Sequence, residues 1–398
     1  MAGPAPSRGG PRGRPGPPAR GRPAAGTRDS GGGAVLADVM LAIVWVGLTC
    51  YALFGGADFG AGLWDLLAGR SRRGLPQRKL IEHSIGPVWE ANHVWLIFVL
   101  VLLWCDFSPV FASVLSTLYL PLTLVALGII LRGAAFAFRK ASTELWQQRL
   151  FGGCFALSSV VTPYFLGSVA GGVASGRVPP GIARGDVVTS WLNPTSALGG
   201  VLAVLTCAHL AAVYLCADAD RAGEPELARG FERRAIVSGT LTGLVALAGI
   251  AVLHADAPQL FHGLTHRGLG LVILSAVAGL AGLRLLSTRR YLLARGVAAL
   301  AVAAILWAWG TAQYPAMLVP GTTVEDAASH ETVLTASLIA VGVGALFLIP
   351  SFWVLYSTFQ RQGPAGAPPA HGTAGAAGGG GGSGGGRGGG GAGATGGG

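Results

Sequence analysis

Nine apolar runs of about 18–24 residues follow one another along this chain: Leu36–Phe54, His83–Trp104, Phe111–Leu131, Phe151–Val173, Ala197–Cys216, Ala235–Leu253, Leu269–Leu286, Leu292–Ala312 and Val333–Tyr356. A helix of about 20 residues crosses the roughly 30 Å of hydrocarbon in a bilayer, so each run is long enough to span it. In lipid every backbone amide and carbonyl has to find a partner within the protein, which leaves only helices or a closed barrel. The runs are rich in Leu, Val, Ala and Gly and show no two-residue alternation, which argues against a barrel. The expected fold class is an all-α polytopic membrane protein with about nine transmembrane helices.

Composition agrees. Hydrophobic residues make up 51% and charged residues 12%, against roughly 25% charge in a soluble domain. Residues 1–34 form an Arg/Pro/Gly-rich leader and residues 361–398 a Gly/Ala-rich tail. Neither can bury enough apolar surface to offset the entropy of ordering, so both are expected to be disordered around a folded body, residues 35–360.

Basic residues give an orientation. Arg70, Arg72, Arg73, Arg78 and Lys79 fall between the first two runs, and Arg132, Arg139, Lys140 and Arg149 between the third and fourth. Arg221, Arg229, Arg233, Arg234, Arg284, Arg289, Arg290 and Arg295 continue the pattern in alternate loops, whereas the opposite loops hold Arg177, Arg184 and Arg267. The positive-inside rule then puts the C-terminus in the cytoplasm and the N-terminus outside, although the arginines of the leader run against it. The formal charge of +10 is accounted for by topology and anionic lipid, and no basic, aromatic-interleaved module points to nucleic acid.

Few ionisable groups lie beside the spans, and those at membrane depth cost about 2.5–3.5 kcal/mol even on lenient scales. The segment Trp89-Glu90-Ala91-Asn92-His93-Val94-Trp95 opens the second run. On a helix Glu90 and His93, at i and i+3, share a face, with Asn92 and Trp95 on a neighbouring one. Pro87 suits an early turn. Asp58 lies in GGADFGAG just beyond the first run, where glycines let helices approach closely enough for it to reach the second span. Two readings stand for these groups. Asp58 and Glu90 could form a two-carboxylate entry for protons with His93 alongside, or Glu90 and His93 could pair to lock helices while Asp58 meets loop arginines.

Other chemistry finds little support. The five cysteines are scattered singly, with no CxxC or CxxCH, so neither attached haem nor zinc is indicated. Glu90 to His93 is a single Glu-x-x-His, whereas a di-iron bundle needs two copies and further glutamates. His254, His262 and His266 cluster in one loop and read as loop residues rather than a metal site. No Walker loop or nucleophilic-serine motif occurs.

The runs GADFGAG, RKLIEHSIGPVWEANHVWLI and LSTLYLPLTLVALGIILRGAAFAFR, with WLNPTSALGG and YPAMLVPGTTVEDAASHETVL further on, resemble subunit II of the bd-type quinol oxidase family. The resemblance covers about residues 36–360 and implies nine spans with an external N-terminus. It implies pairing with a larger, haem-bearing oxidase subunit I in a complex of the bacterial plasma membrane that oxidises quinol and reduces oxygen to water with protons from the cytoplasm. Haems b and d are then expected on the partner, and no cofactor is expected on this chain beyond a structural quinone. The resemblance makes the chain an accessory subunit that stabilises subunit I and contributes to proton and oxygen access. It matches Asp58 and Glu90 to the family's acidic positions and Trp89, Asn92 and Trp95 to their motif neighbours.

Three positions depart from the family pattern. Glu90 stands where aspartate is usual, His93 where Glu or Gln is common, and Gly55 at an often acidic site. Two other classes of function remain beside this one: a proton-coupled transporter, which would show broken helices in inverted repeats, and a structural membrane scaffold without chemistry of its own.

Overall fold

The computed structural model describes residues 3, 32–69, 74–85, 89–141 and 144–361. In chain order the helices are α1 (Gly32–Leu67), α2 (Leu75–Ile85), α3 (Trp89–Asp106), α4 (Ser108–Thr117), α5 (Tyr119–Ala141), α6 (Leu145–Ala174), α7 (Pro194–Arg221), α8 (Pro225–Asp256), α9 (Pro258–Thr265), α10 (Leu269–Ser287) and α11 (Tyr291–Gln313). A small antiparallel hairpin, β1 (Ala316–Leu318) and β2 (Thr322–Thr323), leads into α12 (Val324–Ala327) and α13 (Glu331–Arg361). Among the described residues eight helices are long and apolar enough to cross a membrane: α1, α5, α6, α7, α8, α10, α11 and α13. The α3–α4 pair, bent by 117°, makes a ninth if it is counted as one span. The expected leader and tail lie outside the described residues except for Gly3, Gly32 to Ala34 and Arg361. The chain divides after Phe352, and the described part of the second unit, Trp353 to Arg361, is helical.

Prolines set the breaks that apolar runs conceal. The third run, Phe111–Leu131, is two helices rather than one, separated at Leu118. Pro109 opens α4 and Pro121 lies in the first turn of α5. Neither has an N–H to bond back to the preceding turn, which favours a fresh helix start at each, although α6 and α13 run on through Pro163 and Pro350. The second run likewise straddles the end of α2 and the start of α3, and Pro87 falls outside the described residues.

α1 does the opposite and runs past its apolar stretch. The first run ends at Phe54, but the helix continues to Leu67, about 20 Å further at 1.5 Å per residue. Asp58 is therefore buried within a helix rather than placed at a span terminus. The glycines of this segment explain the burial. A Cβ at Gly60 would overlap the main-chain carbonyl of Cys207 on α7, and one at Gly62 the Ser159 side chain on α6. Small residues bring the helix backbones together where larger ones would hold them apart.

α7 is the most buried of the spans and α13 the least. Ala208, Leu210, Ala211, Ala212, Val213 and Leu215 of α7 form the centre of the largest apolar cluster among the described residues, against Ala61 and Trp64 of α1, Ala235 of α8 and Ala294 and Ala298 of α11. At the N-terminal end of α7, Asn193 caps the helix by accepting from the Ser196 amide at 2.8 Å. Asp256, the last residue of α8, ties the same end together. It accepts from both terminal nitrogens of Arg177, at 3.0 and 2.6 Å, and from the hydroxyl and amide of Thr195, at 2.5 and 3.1 Å.

Because Gly60 meets backbone rather than a movable side chain, Gly60→Val should force α1 off α7. The expected loss of stability is about 1–3 kcal/mol or more, read as a lower thermal midpoint of the detergent-purified protein. A conservative change at Gly230, where a Cβ would meet nothing within 4 Å, should leave the midpoint unchanged.

Candidate functional site

Where α1 crosses α3, α5 and α6, the protein buries a carboxylate and a guanidinium together. Asp58 is 5% exposed and Arg132, on α5, only 1%. The Asp58 Oδ2 accepts from the Asn92 side-chain amide of α3 at 2.5 Å, and the same amide reaches the Phe54 carbonyl at 3.4 Å. Arg132 donates through one nitrogen to the main-chain carbonyl of Asp58 at 2.6 Å and through the other to Ser159 Oγ at 2.8 Å. The Ser159 hydroxyl in turn donates to the Phe155 carbonyl at 2.6 Å. The guanidinium lies 4.8 Å from the centroids of both Phe59 and Phe155, which hold it by cation–π contact.

An isolated buried charge costs several kcal/mol even after relaxation, so each ion makes the other tolerable. The carboxylate takes a side-chain amide and the guanidinium takes a carbonyl and a hydroxyl, which is why the two can be neighbours without clasping directly. A second layer surrounds them. Tyr51, Phe59 and Cys207 form a buried cluster with Trp95, Leu96, Ile129 and Leu166 against it. The His93 ring lies 6.2 Å from Tyr51 and 6.0 Å from Phe59, and Trp95 meets Phe98 edge to face.

The residues singled out in the sequence separate into two groups. Asp58, Asn92, His93 and Trp95 converge on this buried region. Glu90 does not: it is exposed on the first turn of α3, and the amide of Asn92 occupies the place beside Asp58. The side chain of Trp89 lies outside the described residues. The cluster of His262 and His266 forms a parallel ring stack at 3.9 Å, and among the described residues no group of three or more His, Cys, Asp or Glu could hold a metal ion.

Arg132 corrects the reading of the loops. Counted among basic residues between spans three and four, it is instead enclosed within α5 and helps to hold Asp58. Its surroundings carried the signal: LGIIL precedes it and GAAFAF follows, with no other charge for several residues on either side. Arg139 and Lys140, by contrast, sit together at the end of that helix. Tyr51, Ser159 and Cys207 left no comparable trace, because nothing local distinguishes them from ordinary span residues.

The description "cytochrome bd terminal oxidase subunit II" belongs to a family model that matches residues 36–359. The chain is 28% identical over 170 residues to cytochrome bd ubiquinol oxidase subunit 2 of Bacillus subtilis (strain 168), covering 42% of this chain and 48% of that protein. It is 29% identical over 189 residues to cytochrome bd-I ubiquinol oxidase subunit 2 of Escherichia coli (strain K12), covering 46% and 48%. The chain thus spans about half the length of each of these relatives. A solved bd oxidase structure from Geobacillus thermodenitrificans has the same fold, with a TM-score of 0.66, 24% identity and coverage of 82% of this chain and 99% of that one.

Removal of either buried ion should strand the other. Arg132→Met and Asp58→Asn are each expected to destabilise, Arg132→Met by about 3–5 kcal/mol, and the double variant should lose less than the sum. A double-mutant cycle of thermal midpoints measures this coupling; strictly additive losses would refute it.

Proposed function

The chain belongs to the cytochrome bd terminal oxidase subunit II family, and on that premise we propose that it is the accessory second subunit of a membrane quinol:oxygen oxidoreductase. In this reading it stabilises a haem-bearing subunit I and carries protons toward the site where oxygen becomes water. Quinol is the substrate of the complex, haems b and d reside on the partner, and a quinone held by this chain is structural. The setting is the bacterial plasma membrane, with the N-terminus outside and the C-terminus and the α7–α8 turn in the cytoplasm.

The observation that carries the proton role is the burial of Asp58 beside Asn92 and Arg132 within the stretch that matches the family. Within one turn of α3 the groups run from exposed Glu90, through half-buried His93, to Asn92 in contact with Asp58. Such a series gives a proton an exposed acceptor and a buried one, with hydrogen-bonding groups between them. The glutamate at position 90 extends one methylene further toward the surface than an aspartate would.

The outward face of α3, which begins at Glu90 itself, offers a surface for the partner. Glu90, Val94, Ile97, Val101 and Trp104 recur at spacings of four and three residues, and all are exposed. That is the repeat of a helix–helix seam, with a carboxylate at its head, where bare lipid would be a poor neighbour.

Two measurements on the purified two-subunit complex test these roles. Glu90→Gln should slow quinol oxidase turnover by about a hundredfold, the lower end of what a positioned proton-transfer group supplies, with haem content and spectrum unchanged. Unaltered turnover in a normally assembled complex rules out a proton role for Glu90. Ile97→Trp should reduce the haem protein co-purified with this chain while leaving its own membrane yield intact; equal co-purification would remove α3 from the interface.

A further inference from the structure

A cavity of about 430 Å³ opens at the end of the bundle that carries α9, between that helix, the last turn of α11 and the β1–β2 hairpin. We infer that it binds a phosphate group at headgroup depth, with the phosphate ester of a membrane phospholipid as its chemical class of ligand. This inference stands apart from the proton and subunit roles proposed above.

The charge of the wall is the first ground. Arg267, His262 and Gln259 face the cavity together with Gln313 and Tyr314, and no aspartate or glutamate lines it. Arg267 is one of three arginines in the loops at this end, and its circumstances differ from those of Arg177. Arg177 is neutralised by Asp256 at 2.6 Å, whereas Arg267 has no carboxylate within ion-pair distance among the described residues. Among the described residues it donates from one terminal nitrogen to the main-chain carbonyl of Tyr314, which positions the guanidinium and leaves most of its N–H fork for another acceptor. A planar fork of this kind suits the paired oxygens of phosphate.

The neighbouring groups fit the same acceptor. The His262 ring is held parallel to His266 at 3.9 Å, while His266 Nδ1 meets the His262 carbonyl at 2.9 Å. His262 and Gln259 are exposed, and among the described residues neither the His262 ring nor the Gln259 amide has a protein hydrogen-bond partner, so both can turn toward a bound acceptor. Two carboxylates lie close enough to act on Tyr314, Asp38, which accepts from its hydroxyl at 3.3 Å, and Glu325; neither lines the cavity.

Size and depth are the second ground. The volume is far larger than a bare anion needs, and Leu260, Val319 and Pro258 supply apolar wall. α10 begins at Leu269 and α11 ends at Gln313, both long enough to cross hydrocarbon, so the cavity lies where those spans emerge. Lipid phosphates occupy that level, with their acyl chains running back along the helices.

The test uses the intact purified complex, stripped of lipid in detergent and titrated with phosphatidylglycerol while native mass spectrometry counts bound lipid. Arg267→Gln should lower occupancy of one lipid by about tenfold, and His262→Ala should lower it less. Arg184→Gln, an exposed arginine at the same end, should bind as wild type does. Inorganic phosphate is added in a parallel arm. Failure of phosphate to displace the lipid identifies a headgroup site, and displacement at millimolar phosphate identifies a site for the free anion. Equal lipid occupancy in wild type and Arg267→Gln, with no effect of phosphate on either, overturns the inference.

Discussion

The contact of α1 with its neighbours through Gly60 and Gly62 is what permits ions to exist inside this bundle. At Gly60 the α1 backbone lies against the Cys207 carbonyl, closer than any side chain would permit. That approach brings Asp58 within reach of Asn92 and delivers its main-chain carbonyl to Arg132. A guanidinium excluded from water needs acceptors and a countercharge, and here it obtains a carbonyl, a hydroxyl, two aromatic faces and a carboxylate neighbour. Loosen the helix contact and the ions would face lipid or each other's absence.

α3 divides its labour by face. Asn92, with Val99 and Leu102 further along, turns inward, while Val94, Ile97, Val101 and Trp104 turn outward. One helix thus joins the polar interior to an exposed apolar surface. The bend of 117° into α4 then carries the chain away from the span axis. Ser113 and Ser116 of α4 receive the amides of Gly181 and Ala183 at 2.9 and 2.8 Å, so the connection between α6 and α7 is pinned to the bent segment.

The two ends of the bundle manage charge differently. At one end Asp256 collects Arg177 and Thr195 into a closed hydrogen-bonded unit that secures three helix termini. Arg267, on the same end, keeps its charge open toward a cavity. At the other, Arg234 stacks on Trp64 and Phe231 and donates to Gln77 of α2 at 3.0 Å. Its aliphatic and planar parts thereby join the apolar core while the charge stays near the edge.

Much of this protein was readable one residue at a time. Apolar length alone called for membrane-spanning helices, since lipid offers the backbone no partner, and single charges such as Asp58 announced themselves by their cost. The motif glycines were legible for the same reason: their effect is local. Helix ends were less so, because α1 continues through a polar-looking segment on contacts made by α6 and α7, and a proline, not hydropathy, divides the third run. The identity of the partner for Asp58 was beyond the sequence. Arg132 lies 74 residues away, and Asn92 rather than Glu90 faces inward because the rotation of α3 about its own axis is set by how its neighbours pack. Charge and apolar length are properties of the chain; which charge meets which is a property of the packed bundle, since that choice depends on distances that exist only once the helices touch.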